Sequence, residues 1–133
     1  MNWNLIFKLS LLGLVMAIGT VYFIPSSVEP FCWLIIFIVC AYVIAKKCSG
    51  RYFLHGFMVS VFNCVWITAA HILLFDKYIA NHPSEAAMMS KMPLPDSPKL
   101  MMLMTGPVVG IASGLVLGLF AFIASKIIKK AAA

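Results

Sequence analysis

Four apolar runs, residues 4–24, 28–45, 52–75 and 100–128, leave this chain few ways to fold. Each is long enough to cross the hydrocarbon core of a bilayer as a helix, which takes about 20 mainly apolar residues. A chain of 133 residues that is 63% hydrophobic and 11% charged also lacks the polar surface of a soluble domain, in which about a quarter of residues are charged. The expected fold is all-α, an integral membrane four-helix bundle with a short interfacial helix between the third and fourth spans. The connections are too short for a second domain, so residues 1–130 read as one four-span domain and Ala131-Ala132-Ala133 as an appended tail. Lys8 and Ala17-Ile18-Gly19 faintly resemble a secretory signal. Cleavage there would leave three spans and nothing to export, so the first helix is expected to stay.

Charge predicts orientation. Lys8, Lys46, Lys47, Arg51, Lys126, Lys129 and Lys130 fall on one side of the four runs, against Lys77, Lys91 and Lys99 on the other. Basic residues concentrate on the cytoplasmic side, so both termini are expected there, in a bacterial inner membrane. The net charge of +6 then makes anionic lipid headgroups the natural partner and gives no reason to expect nucleic acid. Glu29, Asp76, Glu85 and Asp96 all lie outside the bodies of the spans, which counts against a dual-topology multidrug exporter with a membrane-embedded acid.

Helix ends carry their own signals. Ser26-Ser27-Val28-Glu29 has capping-box spacing, and Ser97-Pro98 sets a capping serine before a first-turn proline. Trp3, Trp33, Tyr42, Tyr52 and Tyr78 fall near span ends, as in an aromatic belt. The outer connection predicts a helix over residues 83–91, then a proline-rich break over 92–98, with Met88, Met89 and Met92 facing the apolar side.

Two faces of small residues predict close helix packing. Gly106, Gly110, Gly114 and Gly118 recur every four residues along the last span, and Ser10, Gly13, Ala17 and Thr20 line the first. Such stripes let backbones approach where no hydrophobic effect separates helix from lipid. Pro107 interrupts the hydrogen-bond ladder, so a kink and a free carbonyl near Leu103 are expected.

The third span holds a polar row. At 100° per residue, Gly56, Ser60, Asn63, Cys64, Thr68 and His71 fall within about 140°, and such a face must look inward. One reading is interhelical hydrogen bonding, worth about 0.6–2 kcal/mol per residue. The other is a pathway, with Asn63 near mid-bilayer and His71 as a titrating group nearer the outer surface.

Other chemistry finds little support. His55 is expected at the inner interface, bonded to water or phosphate, and His82 in a turn before Pro83. About 24 Å of helix separates His55 from His71, too far for both to ligate one haem, and no cofactor is expected. Cys32, Cys40, Cys48 and Cys64 form no C-x-x-C pair and read as apolar fillers; no zinc spacing appears. The chain has nine methionines, and no metal site is expected; were a soft metal handled, Met88, Met89, Met92 and His82 are the side chains gathered for it.

The basic loop entering the third span through Gly50-Arg51-Tyr52-Phe53, its exit at Phe75-Asp76-Lys77-Tyr78, the outer helical loop and the final Ile127-Ile128-Lys129-Lys130 together resemble an uncharacterised family of small bacterial four-span membrane proteins. The resemblance implies a shared architecture and no activity or site residue. The expected role is interaction or assembly, with a second copy or another membrane protein as partner. A small channel or transporter lined by the polar row is the alternative. No paired carboxylates, activated serine or Cys/His arrangement points to an enzyme.

The charge pattern is checked by cysteine labelling in intact cells. Ser49→Cys should resist a membrane-impermeant thiol reagent and Ser84→Cys should react; the reverse pattern would invert the topology.

Overall fold

The structure, a computed structural model, describes residues 1–93 and 96–132, with side chains of the last helix described as far as Ile128. Leu94 and Pro95 of the expected proline-rich break, and Ala133 of the expected tail, lie outside the described residues. Six helices follow one another: α1 (Trp3–Tyr22), α2 (Glu29–Lys47), α3 (Tyr52–Leu73), α4 (Phe75–Asn81), α5 (Pro83–Met89) and α6 (Pro98–Ala132). Among the described residues there is no strand. Helices α1, α2, α3 and α6 are long and apolar enough to cross a membrane, and their length and composition suggest a multi-pass membrane protein.

Local chemistry sets most helix ends. The Asn2 side chain caps α1 by accepting the Leu5 N–H at 3.1 Å. Glu29 opens α2 while Lys46 and Lys47 close it, each charge complementing the helix dipole. The expected capping box does not form: Val28 precedes the first helical residue and no side chain caps it. The reason is Pro30, which favours the first turn of a helix and fixes the start at Glu29, too late for Ser26 to reach back. Arg51 joins α2 to α3 in the left-handed conformation, φ 53°, a strained backbone for a residue with a side chain. One outer helix was expected and two form, because the chain breaks at Leu74 and again at His82. At Pro107, α6 continues as one helix.

Successive long helices alternate in direction. Asn2 of α1 meets His55 near the start of α3, and Thr20 meets His71 near its end. Gly118 of α6 lies against Phe53 and Gly106 against Thr68, so α6 runs back along α3. Lys47, Arg51 and Lys126 therefore share one end, while Glu29, Asp76 and Glu85 share the other. Near the basic end a core cluster joins Ile6 and Leu9 of α1, Cys40 and Ile44 of α2, Val59 of α3 and Leu117 of α6. At the acidic end a smaller cluster joins Val21, Tyr78 and Met102.

The helices are not held alike. Helix α3 lies between α1 and α6, whereas α2 rests chiefly on α6, with Phe37 edge-on to Phe120 at 6.3 Å between ring centroids. Within α2, Trp33 bonds Glu29 and Lys46 bonds Tyr42.

Among the glycines, the closest approach to another backbone is at Gly56 of α3, where an added methyl would stand 2.6 Å from the Leu117 carbonyl oxygen and 2.9 Å from the Gly118 Cα. Backbone cannot step aside as a side chain can. Gly56→Ala should cost about 1–3 kcal/mol, as overpacking does. Gly50→Ala, where nothing lies within 4 Å, should stay within about 0.5 kcal/mol. Thermal melting in detergent or lipid discs compares the two; equal tolerance would refute the close approach.

Candidate functional site

The polar row of α3 divides between its two neighbours. Toward α6, the Ser60 hydroxyl donates to Ser113 Oγ at 2.8 Å, because Ser113 spends its own proton on the Val109 carbonyl. The Cys64 thiol donates to the Gly106 carbonyl at 2.8 Å. Thr68 packs over Gly106, and Cys64 over Gly110. Gly114 and Gly118 continue the same seam against Phe57 and Phe53. The four glycines of α6 thus meet α3 of the same chain.

Toward α1, His71 Nε2 lies 3.0 Å from Thr20 Oγ1, which donates to the Ala17 carbonyl. Thr20 can then only accept, so His71 carries its proton on Nε2. Trp66 donates to Ser10 Oγ at 3.1 Å, bringing a residue outside the expected row into the same bonding. Asn63 packs on Gly13, where any added side chain would run into its amide. It is 2% exposed, and both its Oδ1 and Nδ2 lack a partner.

At the acidic end three rings stack. Tyr78 lies between His71 and His82, with centroids 4.0 and 4.4 Å away and planes within 24° of parallel. Tyr78 was expected in an aromatic belt and His82 in a turn; His82 does sit at the junction of α4 and α5, and both side chains are buried, because α4 folds back under α1, where Asn81 donates to the Val21 carbonyl. His82 Nδ1 donates to the Tyr78 carbonyl at 2.9 Å, leaving Nε2 unpaired. Burial, then the carboxylates of Glu29 and Glu85, push the Tyr78 phenol up to about 12, so it stays protonated at neutral pH. Burial raises the Glu85 carboxyl, but hydrogen bonds from Ser84 and Ser26 and the nearby His82 outweigh it and hold it below its usual value. Ser26 therefore serves Glu85 instead of capping α2.

A cavity of about 260 Å³ beside this stack is lined by Thr68, His71, Tyr78, Met89, Met102 and Thr105. One imidazole, two thioethers and the Cys64 thiol line it, a donor set that suits a soft metal, although the thiol is already engaged with the Gly106 carbonyl. Met88 instead is 61% exposed, and His82 does not line the cavity. Among the described residues no cluster of three or more His, Cys, Asp or Glu side chains could hold a metal. At the other end His55 is occupied by protein: it accepts from the Asn2 N–H at 3.0 Å, and its Nδ1 donates to the Arg51 carbonyl at 2.8 Å.

A groove of about 610 Å³ runs along one side of the α3–α6 seam. Cys64, Ala69, Gly106 and Gly110 supply small residues, with Val65 and Ile111 among its bulkier walls. Comparison with models of protein families, with curated proteins and with solved structures finds no match to this chain.

The unpaired amide and the bonded histidine make opposite forecasts. Asn63→Leu keeps the branched outline while removing two unsatisfied polar atoms, and should leave stability unchanged or raise it. Thr20→Val strands His71 Nε2 and should lower stability by about 0.6–1.7 kcal/mol. Thermal melting decides; a larger loss in Asn63→Leu would mean that the amide is bonded.

Proposed function

We propose that the chain is a non-enzymatic four-helix bundle of the bacterial inner membrane, one four-span domain with both termini cytoplasmic, whose task is lateral assembly. The observation that carries this reading is the groove beside the α3–α6 seam. It is almost wholly apolar, runs along α3 and α6, and sets the small, exposed Ala69 among bulky walls such as Val65 and Ile111. A spanning helix gains from such a surface because small residues allow close backbone approach, and packing is what drives association in lipid. The polar row favours the same reading, since Ser60, Cys64 and His71 are engaged with neighbouring helices. A small channel or transporter is the second reading. The unpaired Asn63 amide and the cavity lined by His71, Met89 and Met102 favour it, with soft-metal handling as its specific form.

The occupant tested first is a second copy of the chain. Copies carrying donor and acceptor dyes, reconstituted at high dilution in liposomes, should show energy transfer. Ala69→Trp, which fills the groove, should abolish it, and Ile38→Trp on the exposed face of α2 should not. Transfer that survives Ala69→Trp would remove the groove as the assembly surface, and its absence in the wild type would remove self-assembly.

A further inference from the structure

The basic end of the molecule carries a second hollow, separate from the groove and sharing with the assembly reading only the placement in a membrane. It measures about 310 Å³, roughly the volume of ten waters, and is lined by Asn2, Lys47, Ser49, Gly50, Arg51 and His55. Its wall is mainly polar, unlike that of the groove. It sits where α2 ends and where α1 and α3 begin, level with the ends of the apolar spans. In a bilayer that level is occupied by headgroups.

The charges around this hollow are of one sign. Lys47 and Arg51 line it, and all four acidic residues of the chain, Glu29, Asp76, Glu85 and Asp96, lie at or beyond the opposite ends of the helices. No carboxylate of the described chain is therefore placed to neutralise the pair. Helices α1 and α3 both start here without an acidic residue in the first turn, so their positive dipole ends add to the same field. The carbonyl end of α2 points the other way and is offset by Lys46 and Lys47. The rim is also fixed. His55 ties the Asn2 amide to the Arg51 carbonyl, joining the start of α1 to the α2–α3 turn across the hollow. Gly50 leaves that turn open, with nothing within 4 Å of where a side chain would sit, and Ser49 brings a hydroxyl to the lining.

We propose that this hollow binds a phosphate group, with Lys47 and Arg51 as its cationic ligands and Ser49 as a neutral donor. Guanidinium suits phosphate oxygens through paired N–H donors, and ammonium acts as a point charge. The phosphate belongs either to an anionic phospholipid headgroup or to a free phosphate ion in the aqueous phase.

Two measurements on the full chain separate these sources. Native mass spectrometry after release from discs of mixed phosphatidylglycerol and phosphatidylcholine reads the lipid retained. Thermal melting in phosphatidylcholine discs, with and without inorganic phosphate, reads the free ion. If the ligand is lipid, phosphatidylglycerol should be retained over phosphatidylcholine, and retention should fall about tenfold for each cation lost in Lys47→Gln and Lys47→Gln/Arg51→Gln. Arg51→Lys should keep most of it. If the ligand is the free ion, phosphate should raise Tm in the wild type and not in the double variant. Lys126→Gln removes a charge from the same end outside the hollow and should change neither readout. The proposal falls if the wild type shows neither a phosphatidylglycerol preference nor a phosphate-dependent Tm, or if Lys126→Gln loses as much as Lys47→Gln. Should the double variant fail to fold, Lys47→Gln set against Arg51→Lys makes the same comparison.

Discussion

The fold depends on how closely α3 and α6 approach. Gly56 on one helix and Gly106, Gly110, Gly114 and Gly118 on the other remove the side chains that would hold the backbones apart. Where lipid tails solvate apolar side chains as well as protein does, such contact supplies much of the attraction between helices. Several features follow from it. The Cys64 thiol reaches the Gly106 carbonyl only because the two backbones are near, and Ser60 meets Ser113 for the same reason. The groove runs beside this seam, lined by residues of both helices.

In a bilayer, polar groups on the body of a spanning helix would have no water to fall back on, so the partners they find decide what they can do. Ser60, Cys64 and His71 are engaged, each by a different helix surface or residue. Asn63 stands apart, enclosed against Gly13 with its amide unpaired. A buried amide in that state costs about 1–3 kcal/mol relative to a satisfied one, and the surrounding seams must absorb that cost. The α1 side of α3 is thus the less settled of its two contacts.

Much of this was legible in the sequence, for local reasons. Apart from the end of α6, the four long helices begin and end within about two residues of the apolar runs, as expected if runs of that length cross lipid as helices. Pro98 and Pro83 open helices as first-turn prolines do. The sequence also held the reason the capping box fails, since Pro30 follows Glu29 directly and outweighs the serine signal. The stack of His71, Tyr78 and His82 was not legible. It needs α4 to fold under α1, and that placement depends on contacts between residues far apart in sequence, such as Asn81 with Val21. The partners of Asn2 and His55 were hidden in the same way.

Helix α2 shows what its mode of attachment implies. Helix α3 is tied to α1 and to α6 by side-chain hydrogen bonds, whereas α2 meets α6 through apolar packing such as Phe37 against Phe120. Lipid tails can replace apolar contacts at little loss, but they cannot replace a hydrogen bond. In a bilayer, a mechanical load would therefore be carried along the hydrogen-bonded line from α1 through α3 to α6, while the apolar contact of α2 would give more readily.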